Sequence, residues 1–414
     1  MTIIAVDSDR IQSKLDKLAM YSDTQAPAIT RVLFTPTELE ARQYVRDLMV
    51  DAGLSVREDA IGNIFGRWQG LDKTLPAVAT GSHIDAIPES GRFDGTVGVL
   101  GAIEALNVLR EQGYEPTRSI EVIMFTAEEP TRFGIGCLGS RALAGTLSVA
   151  ELQALHDSEG QSLDIVRQVA GYTASLDTVC LDADYYAAFV ELHIEQGPIL
   201  DKEAIDIGVV TAIAAPATLR VIIQGDGGHA GTVLMPGRRD SLPAAAEIIL
   251  AVEQSAKTST SPDAVATVGL CEVYPGAVNS IPSRVLLEID IRDIDLVSRD
   301  TMVEKVLEAV ETICAKRGLD ADAQVLNADE PCQSGDALVA ALQSACESQG
   351  YTYQSMISRA YHDTLFMARI CPTAMLFVPS VDGYSHRPDE YTKPENIARG
   401  VAVLAASLRE LSAS

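Results

Sequence analysis

Four short runs of the chain are apolar almost without interruption: Pro76 to Thr80, Ile120 to Thr126, Ala187 to His193 and Thr373 to Val378. Runs of this kind predict strands buried on both faces, as in parallel sheets. Leu54 to Glu58 and Asn63 to Trp68 alternate instead and predict paired strands. Elsewhere the period lengthens. Leu39, Ala41, Tyr44, Val45 and Leu48 recur at helical spacing before a stop at Gly53, which predicts a helix over Thr37 to Ala52. Helices are likewise predicted over Asp7 to Met20 and Thr96 to Leu109, with a polar, helix-prone region from Leu147 to Gly171. The Thr96 helix lies between two apolar runs, and this strand–helix–strand unit implies parallel strands.

Around Ala212 to Pro216 the pattern changes. Strands over Leu219 to Gln224, Ala264 to Val273 and Val285 to Arg292 alternate with helices over Ser241 to Ser255 and Arg299 to Arg317. That α+β series is long enough for a module of its own. After Pro331 the earlier style resumes, with helices over Asp336 to Gln349 and from Pro394 onward. The expected plan is an α/β catalytic domain in two pieces, 1–212 and 329–414, with a lid inserted at 213–328. There are no internal repeats.

Composition narrows the function. A length of 414 residues favours two domains over one. A formal net charge of −26 argues against nucleic acid or anionic membrane as a partner. An anionic substrate would need a locally placed Arg, Lys or metal ion. No apolar run is long enough to span a bilayer, and no N-terminal stretch has signal-peptide order. The seven cysteines form no Cys-x-x-Cys pair, so reduced thiols in a cytoplasmic protein are expected.

All four apolar runs lead into side chains that bind metals. The first delivers His83 and Asp94, the second Glu128 and Glu129, the third His193, and the fourth, through a loop, His386. Each histidine alone would read as a hydrogen-bonded structural residue. In a doubly wound sheet, however, the carboxyl ends of the strands share one crevice. Histidines with several carboxylates suit one or two divalent ions such as Zn²⁺ or Mn²⁺. A carboxylate can bridge two ions, so Asp94 or one Glu is the natural bridge. The adjacent Glu128 and Glu129 point in different directions, so one can bind metal while the other takes a proton from water. That is the chemistry of metal-assisted hydrolysis, in which the ion polarises a carbonyl and acidifies water.

His83-x-Asp85, Gly91-Arg-Phe-Asp94-Gly, Glu128-Glu129-Pro130, His193-Ile-Glu-Gln196-Gly and Ser385-His386 stand in an order that resembles amidohydrolases of the dinuclear-metal aminopeptidase and aminoacylase fold. The most similar branch is the carbamoylase group, which covers N-carbamoyl-L-amino-acid hydrolases, β-ureidopropionase, allantoate amidohydrolase and ureidoglycolate amidohydrolase. The resemblance spans nearly the whole chain. It implies a mixed-sheet catalytic domain with an inserted ferredoxin-like lid, and two divalent ions, Mn²⁺ preferred and Zn²⁺ possible. By that resemblance Asp94 bridges, His83 and His193 complete one ion's shell, and Glu129 and His386 complete the other's. Glu128 is then the general base and acid, and Asp85 orients the His83 ring.

The lid gains a role in the same way. Gly227-Gly-His229-Ala-Gly, Asn279-Ser-Ile-Pro and Asp290-Ile-Arg292-Asp resemble lid motifs of the family. Arg292 and Asn279 would hold a substrate carboxylate and His229 would stabilise charge developing on the attacked carbonyl. Gln196 would contact the ureido group. Lids of this family also dimerise, so a homodimer is expected, in which His229 and Asn279 can serve the neighbouring chain.

Many members of the group have a small residue before the His-Asp of the C-terminal motif, whereas this chain has Arg359-Ala-Tyr361-His362-Asp363. This stretch, with Glu128-Glu-Pro-Thr-Arg-Phe-Gly-Ile and Val209-Val-Thr-Ala-Ile-Ala-Ala-Pro216, looks most like ureidoglycolate amidohydrolases. Tyr361 could then recognise a substrate hydroxyl, with His362 beside it in the substrate site. Cleavage of the ureido group of (S)-ureidoglycolate is therefore expected, giving ammonia, carbon dioxide and glyoxylate. N-carbamoyl-L-amino acids, β-ureidopropionate and allantoate are the alternatives. An aminoacylase, a dipeptidase or a non-catalytic binding relative would be readings of another class.

Overall fold

The protein is described by a computed structural model, over residues 3–413. The chain divides into two compact units. One comprises the chain up to Thr211, Ser334–Ser358 and His362 onward; the other comprises Ala212–Gln333 with Arg359–Tyr361.

The first unit is built on a mixed sheet. Strands Thr373–Val378, Tyr186–Ile194, Ala77–His83 and Ile120–Phe125 lie side by side in that order and are all parallel. Antiparallel strands flank them: Ile64–Trp68 and Ser55–Glu58 on one side, Ile207–Ile213 on the other. Successive residues of the parallel strands feed two separate cores. Val78, Val122, Met124 and Leu192 pack with the helices Thr96–Glu111 and Pro394–Leu411 on one face. Ala77, Ala79, Ile123, Phe125 and Phe189 pack against the other covering layer. A strand whose two faces are both covered is apolar at most positions, which is why these runs do not alternate, and a polar residue it keeps is hydrogen-bonded, as Glu121 is by the Tyr186 hydroxyl.

The Ala77–His83 strand runs further than its apolar segment, through Gly81 and Ser82 to His83 itself. Ser82 can be polar there because its hydroxyl donates to the buried Glu191 carboxylate at 2.7 Å. The polar region after Leu147 folds as two short helices, Val149–Ala154 and Leu163–Val169.

The second unit has the strand–helix–strand–strand–helix–strand order of a ferredoxin-like fold. Its sheet is antiparallel, in the order Val265–Tyr274, Arg284–Asp293, Ala215–Gln224, Asp320–Ala328. Alternate residues Leu219, Val221, Ile223, Val285, Leu287 and Ile289 are buried under the helices Ser241–Lys257 and Leu296–Arg317. The opposite face is less covered and mixed, with Arg220 paired to Glu288 at 2.6 Å beside Ile222 and Leu286. Strand Asp320–Ala328 escapes the hydrophobic pattern because it is an edge strand, and most of its residues, Asp320 and Asp322 among them, are exposed.

Candidate dinuclear metal site

The carboxyl ends of the four parallel strands bring His83, Asp94, Glu129, His193 and His386 together. Asp94 stands at the centre and divides its two oxygens. Its Oδ1 lies 3.1 Å from His193 Nε2 and 3.6 Å from His83 Nε2. Its Oδ2 lies 3.2 Å from His386 Nε2, and Glu129 Oε1 is 3.3 Å from the same nitrogen. The donors thus form two sets, His83–Asp94–His193 and Asp94–Glu129–His386, sharing one carboxylate.

His83 shows what the site is built to hold. Its Nδ1 donates to the Asp85 carbonyl at 3.1 Å, which leaves Nε2 turned into the site. That nitrogen is buried and has no hydrogen-bond partner, yet it faces Asp94 Oδ1 and, at 3.7 Å, Glu128 Oε2. A ring nitrogen among anionic oxygens calls for positive charge there, a proton on the imidazole or a cation among the oxygens. The electrostatics agree. Burial alone would push Asp94 up, but the surrounding imidazoles hold it well below the usual carboxylate range. Hydrogen bonds to Asp94 and Glu129 raise His386 to about 11. The cluster calls for positive charge, and its His/carboxylate donor set suits divalent ions.

The glycines of Gly91-Arg-Phe-Asp94-Gly95 are explained by this packing. Gly95 has φ +63°, and a Cβ there would lie 2.4 Å from the His83 ring. A Cβ on Gly91 would lie 2.2 Å from the Glu390 carboxyl carbon. Three non-glycine residues at the site, Ala127, Gln196 and His386, also take positive φ. Left-handed backbone at such residues costs of order 1 kcal/mol each and is characteristic of functional loops.

Glu128 is the free carboxylate. Burial, with Glu129, Asp363 and Asp94 nearby, raises it well above the ordinary range, and only His83 opposes this strongly. Its turn is held from two sides: Cys137 donates its N–H to the Glu128 carbonyl at 2.8 Å, and the Asp85 carboxylate accepts the N–H groups of Glu128 and Glu129 at 3.1 and 3.0 Å. The sequence assigns Asp85 to the His83 ring. In the structure both groups of Asp85 face that ring, the carbonyl at 3.1 Å and the carboxylate Oδ1 at 3.5 Å from Nδ1, and the carboxylate also sets the Glu128–Glu129 turn.

Other expected residues are placed differently. Gln196 donates to Asp94 Oδ2 at 2.7 Å, and its Oε1 is buried without a partner. His362, expected at the substrate, is buried behind His193 with ring centroids 4.6 Å apart and Nε2 on Ser358 Oγ at 3.0 Å. Burial holds that imidazole well below its usual range, so it is a neutral packing partner of the ligand ring. Glu195 caps the helix Ile199–Glu203 through the N–H groups of Ile199 and Leu200.

In the second unit, Arg292 pairs with Asp290 at 2.7 and 3.0 Å and donates to the Arg359 carbonyl. Tyr361 donates its phenol to Asp329. His229 and Asn279 are exposed next to a short pairing of Gly228–His229 with Ser280–Ile281. Reading the sequence gave no role to Glu390, which accepts the N–H groups of Phe93 and Asp94, or to Glu191, which stands beside His193 and His362; a lone acid gives no periodic signal.

With fold and donors in place, the chain can be assigned: it belongs to the peptidase family M20/M25/M40, whose profile matches residues 79–410, and it is a hydrolase. Several similar proteins are named as hydrolases of ureidoglycolate, N-carbamoyl-L-amino acids or allantoate. It is 53% identical to ureidoglycolate hydrolase of Arabidopsis thaliana over 99% of this chain and 87% of that protein. It is 37% identical to N-carbamoyl-L-amino-acid amidohydrolase of Paenarthrobacter aurescens over 99% of this chain and 100% of that one. A solved structure of AtUAH in complex with (S)-hydroxyglycine superposes with a TM-score of 0.89 at 52% identity, covering 99% of this chain and 98% of that one. Among the described residues, no helix is long and apolar enough to cross a membrane.

Proposed function

We propose that the chain hydrolyses the ureido C–N bond of (S)-ureidoglycolate. The observation that carries the chemistry is the division of Asp94's two oxygens between two His/carboxylate sets, with Glu128 left free beside them. The substrate follows from the ureidoglycolate hydrolases at 53% and 52% identity and from the hydroxyglycine complex. Two divalent ions, Mn²⁺ preferred and Zn²⁺ possible, would be held by His83, Asp94 and His193 and by Asp94, Glu129 and His386. When bound, they would polarise the ureido carbonyl and lower the pKa of water.

Glu128 takes the proton from the attacking water and returns it to the departing nitrogen. The C–N bond breaks to give (S)-hydroxyglycine and carbamate. Carbamate releases ammonia and carbon dioxide, and hydroxyglycine loses ammonia to give glyoxylate. The unpaired Gln196 Oε1 suits a ureido N–H. In the second unit, Arg292 is assigned to the substrate carboxylate, Asn279 to its support, His229 to the charge developing on the carbonyl and Tyr361 to the hydroxyl. Arg292 and Tyr361 would exchange Asp290 and Asp329 for substrate. A homodimer through the inserted unit belongs to the same reading, supported by the open sheet edges and by exposed Val265, Tyr274 and Val325. So does a cytoplasmic location, supported by cysteines that form no disulfide among the described residues.

The test is ammonia release from ureidoglycolate, allantoate and N-carbamoyl amino acids, with Mn²⁺ and with Zn²⁺. Turnover of N-carbamoyl amino acids but not ureidoglycolate would overturn the proposal.

A further inference from the structure

Glu390 lies four residues beyond His386, in the loop that leads to the final helix. It is 3% exposed, and among the described residues no Lys or Arg pairs with it. A buried carboxylate without a cationic partner needs a specific set of donors. Here those donors belong to the metal site. Oε1 accepts the N–H groups of Phe93 and Asp94 at 2.8 and 3.1 Å. Oε2 accepts the Ser385 hydroxyl at 3.0 Å, and that hydroxyl is also 3.0 Å from Asp94 Oδ2. Ser385 directly precedes His386. One side chain therefore fixes the backbone of the shared carboxylate and, through one hydroxyl, the loop of the exposed histidine. Its own position is set by Gly91, where any side chain would overlap it.

The same hydroxyl spans both carboxylates, 3.0 Å from each. His386 needs such support more than His83 or His193. Those two are buried at strand ends, whereas the His386 side chain is 46% exposed on a loop.

We infer that Glu390 is a positioning residue: it presets Asp94 and His386 for the second ion, the one expected at Asp94, Glu129 and His386. This rests on the dinuclear reading above. Two-metal binding and its dependence on Glu390 are separable by calorimetric titration of the metal-stripped full chain with Mn²⁺ and with Zn²⁺, alongside melting temperatures. Wild type is expected to show two binding events. Glu390→Gln keeps the shape but replaces one acceptor oxygen by an NH₂, and should weaken one event about 10- to 100-fold while leaving the other within about threefold. Ser385→Ala should weaken the same event by less. Glu104→Gln, which removes a buried carboxylate paired with Arg10 and Lys14 away from the site, should lower the melting temperature and leave both events unchanged.

If Glu390→Gln binds both ions as wild type does, or weakens both equally, the inference is overturned and the dinuclear reading stands. If wild type takes up fewer than two ions, both fall. Should Glu390→Gln not fold, Ser385→Ala decides: an unchanged second event overturns the inference.

Discussion

Replacing Asp85 by Asn tests whether this side chain serves the His83 ring or the Glu128 turn. The carboxylate is buried and accepts two backbone N–H groups, from Glu128 at 3.1 Å and Glu129 at 3.0 Å. Asn keeps one acceptor but turns an NH₂ toward the other N–H. One hydrogen bond to a charged group is then lost, worth about 1.5–3 kcal/mol. If that energy holds Glu128 where it meets water and the leaving nitrogen, kcat falls roughly 10- to 150-fold at 1.36 kcal/mol per decade. The His83 ring should lose less, because its Nδ1 is 3.1 Å from the Asp85 backbone carbonyl, which Asn supplies equally, and 3.5 Å from the carboxylate. Steady-state ammonia release gives kcat, and calorimetric titration of the metal-stripped protein gives metal affinity. The reasoning is refuted if Asp85→Asn retains kcat at saturating metal and loses metal affinity instead, since the carboxylate would then be serving His83.

Three further outcomes follow from the site. Glu128→Gln should lower kcat by about 10²–10⁴ while metal content, read by elemental analysis, stays at the wild-type value. Metal uptake should release protons, because the carboxylates raise His83, His193 and His386 above the ordinary imidazole value, His386 to about 11. At neutral pH the proton on His386 must leave before a metal binds, so affinity should strengthen as pH rises toward 11; titrations in buffers of different ionisation enthalpy count the protons, and zero release would contradict this. Tyr361→Phe should slow ureidoglycolate hydrolysis while sparing N-carbamoylglycine, which has no hydroxyl; equal losses would remove Tyr361 from substrate selection.

Much of the catalytic framework is legible in the sequence because it depends on local pattern. A strand covered on both faces is apolar at most positions, so Ile120–Phe125 and Thr373–Val378 stand out in the chain. The polar residues just past such strands are equally plain, since little else interrupts the pattern there. Alternation in Arg284–Asp293, with Val285, Leu287, Ile289 and Ile291 turned inward, marks a sheet covered on one side only. Edge strands are silent in this code. Asp320–Ala328 is held mainly by backbone bonds to one neighbour, and its side chains are free to be polar.

Tertiary structure alone decides which groups on a functional residue do the work. Sequence cannot separate the carbonyl of Asp85 from its carboxylate, yet the carbonyl is the nearer to His83 and only the carboxylate takes the N–H groups of the Glu128 turn. Nor can it show that His362 lies behind His193, that Arg292 is engaged by Asp290, or that Glu390 reaches back to Asp94 across 296 positions. These are matters of direction and of long-range approach. Periodicity records which face of an element is covered, and it carries no record of which distant loop folds against its end. The residue types that suit a metal were fixed by the chain itself; the sharing of Asp94 between two sets of donors is a product of the fold, because only four adjacent parallel strands bring their carboxyl ends to one place.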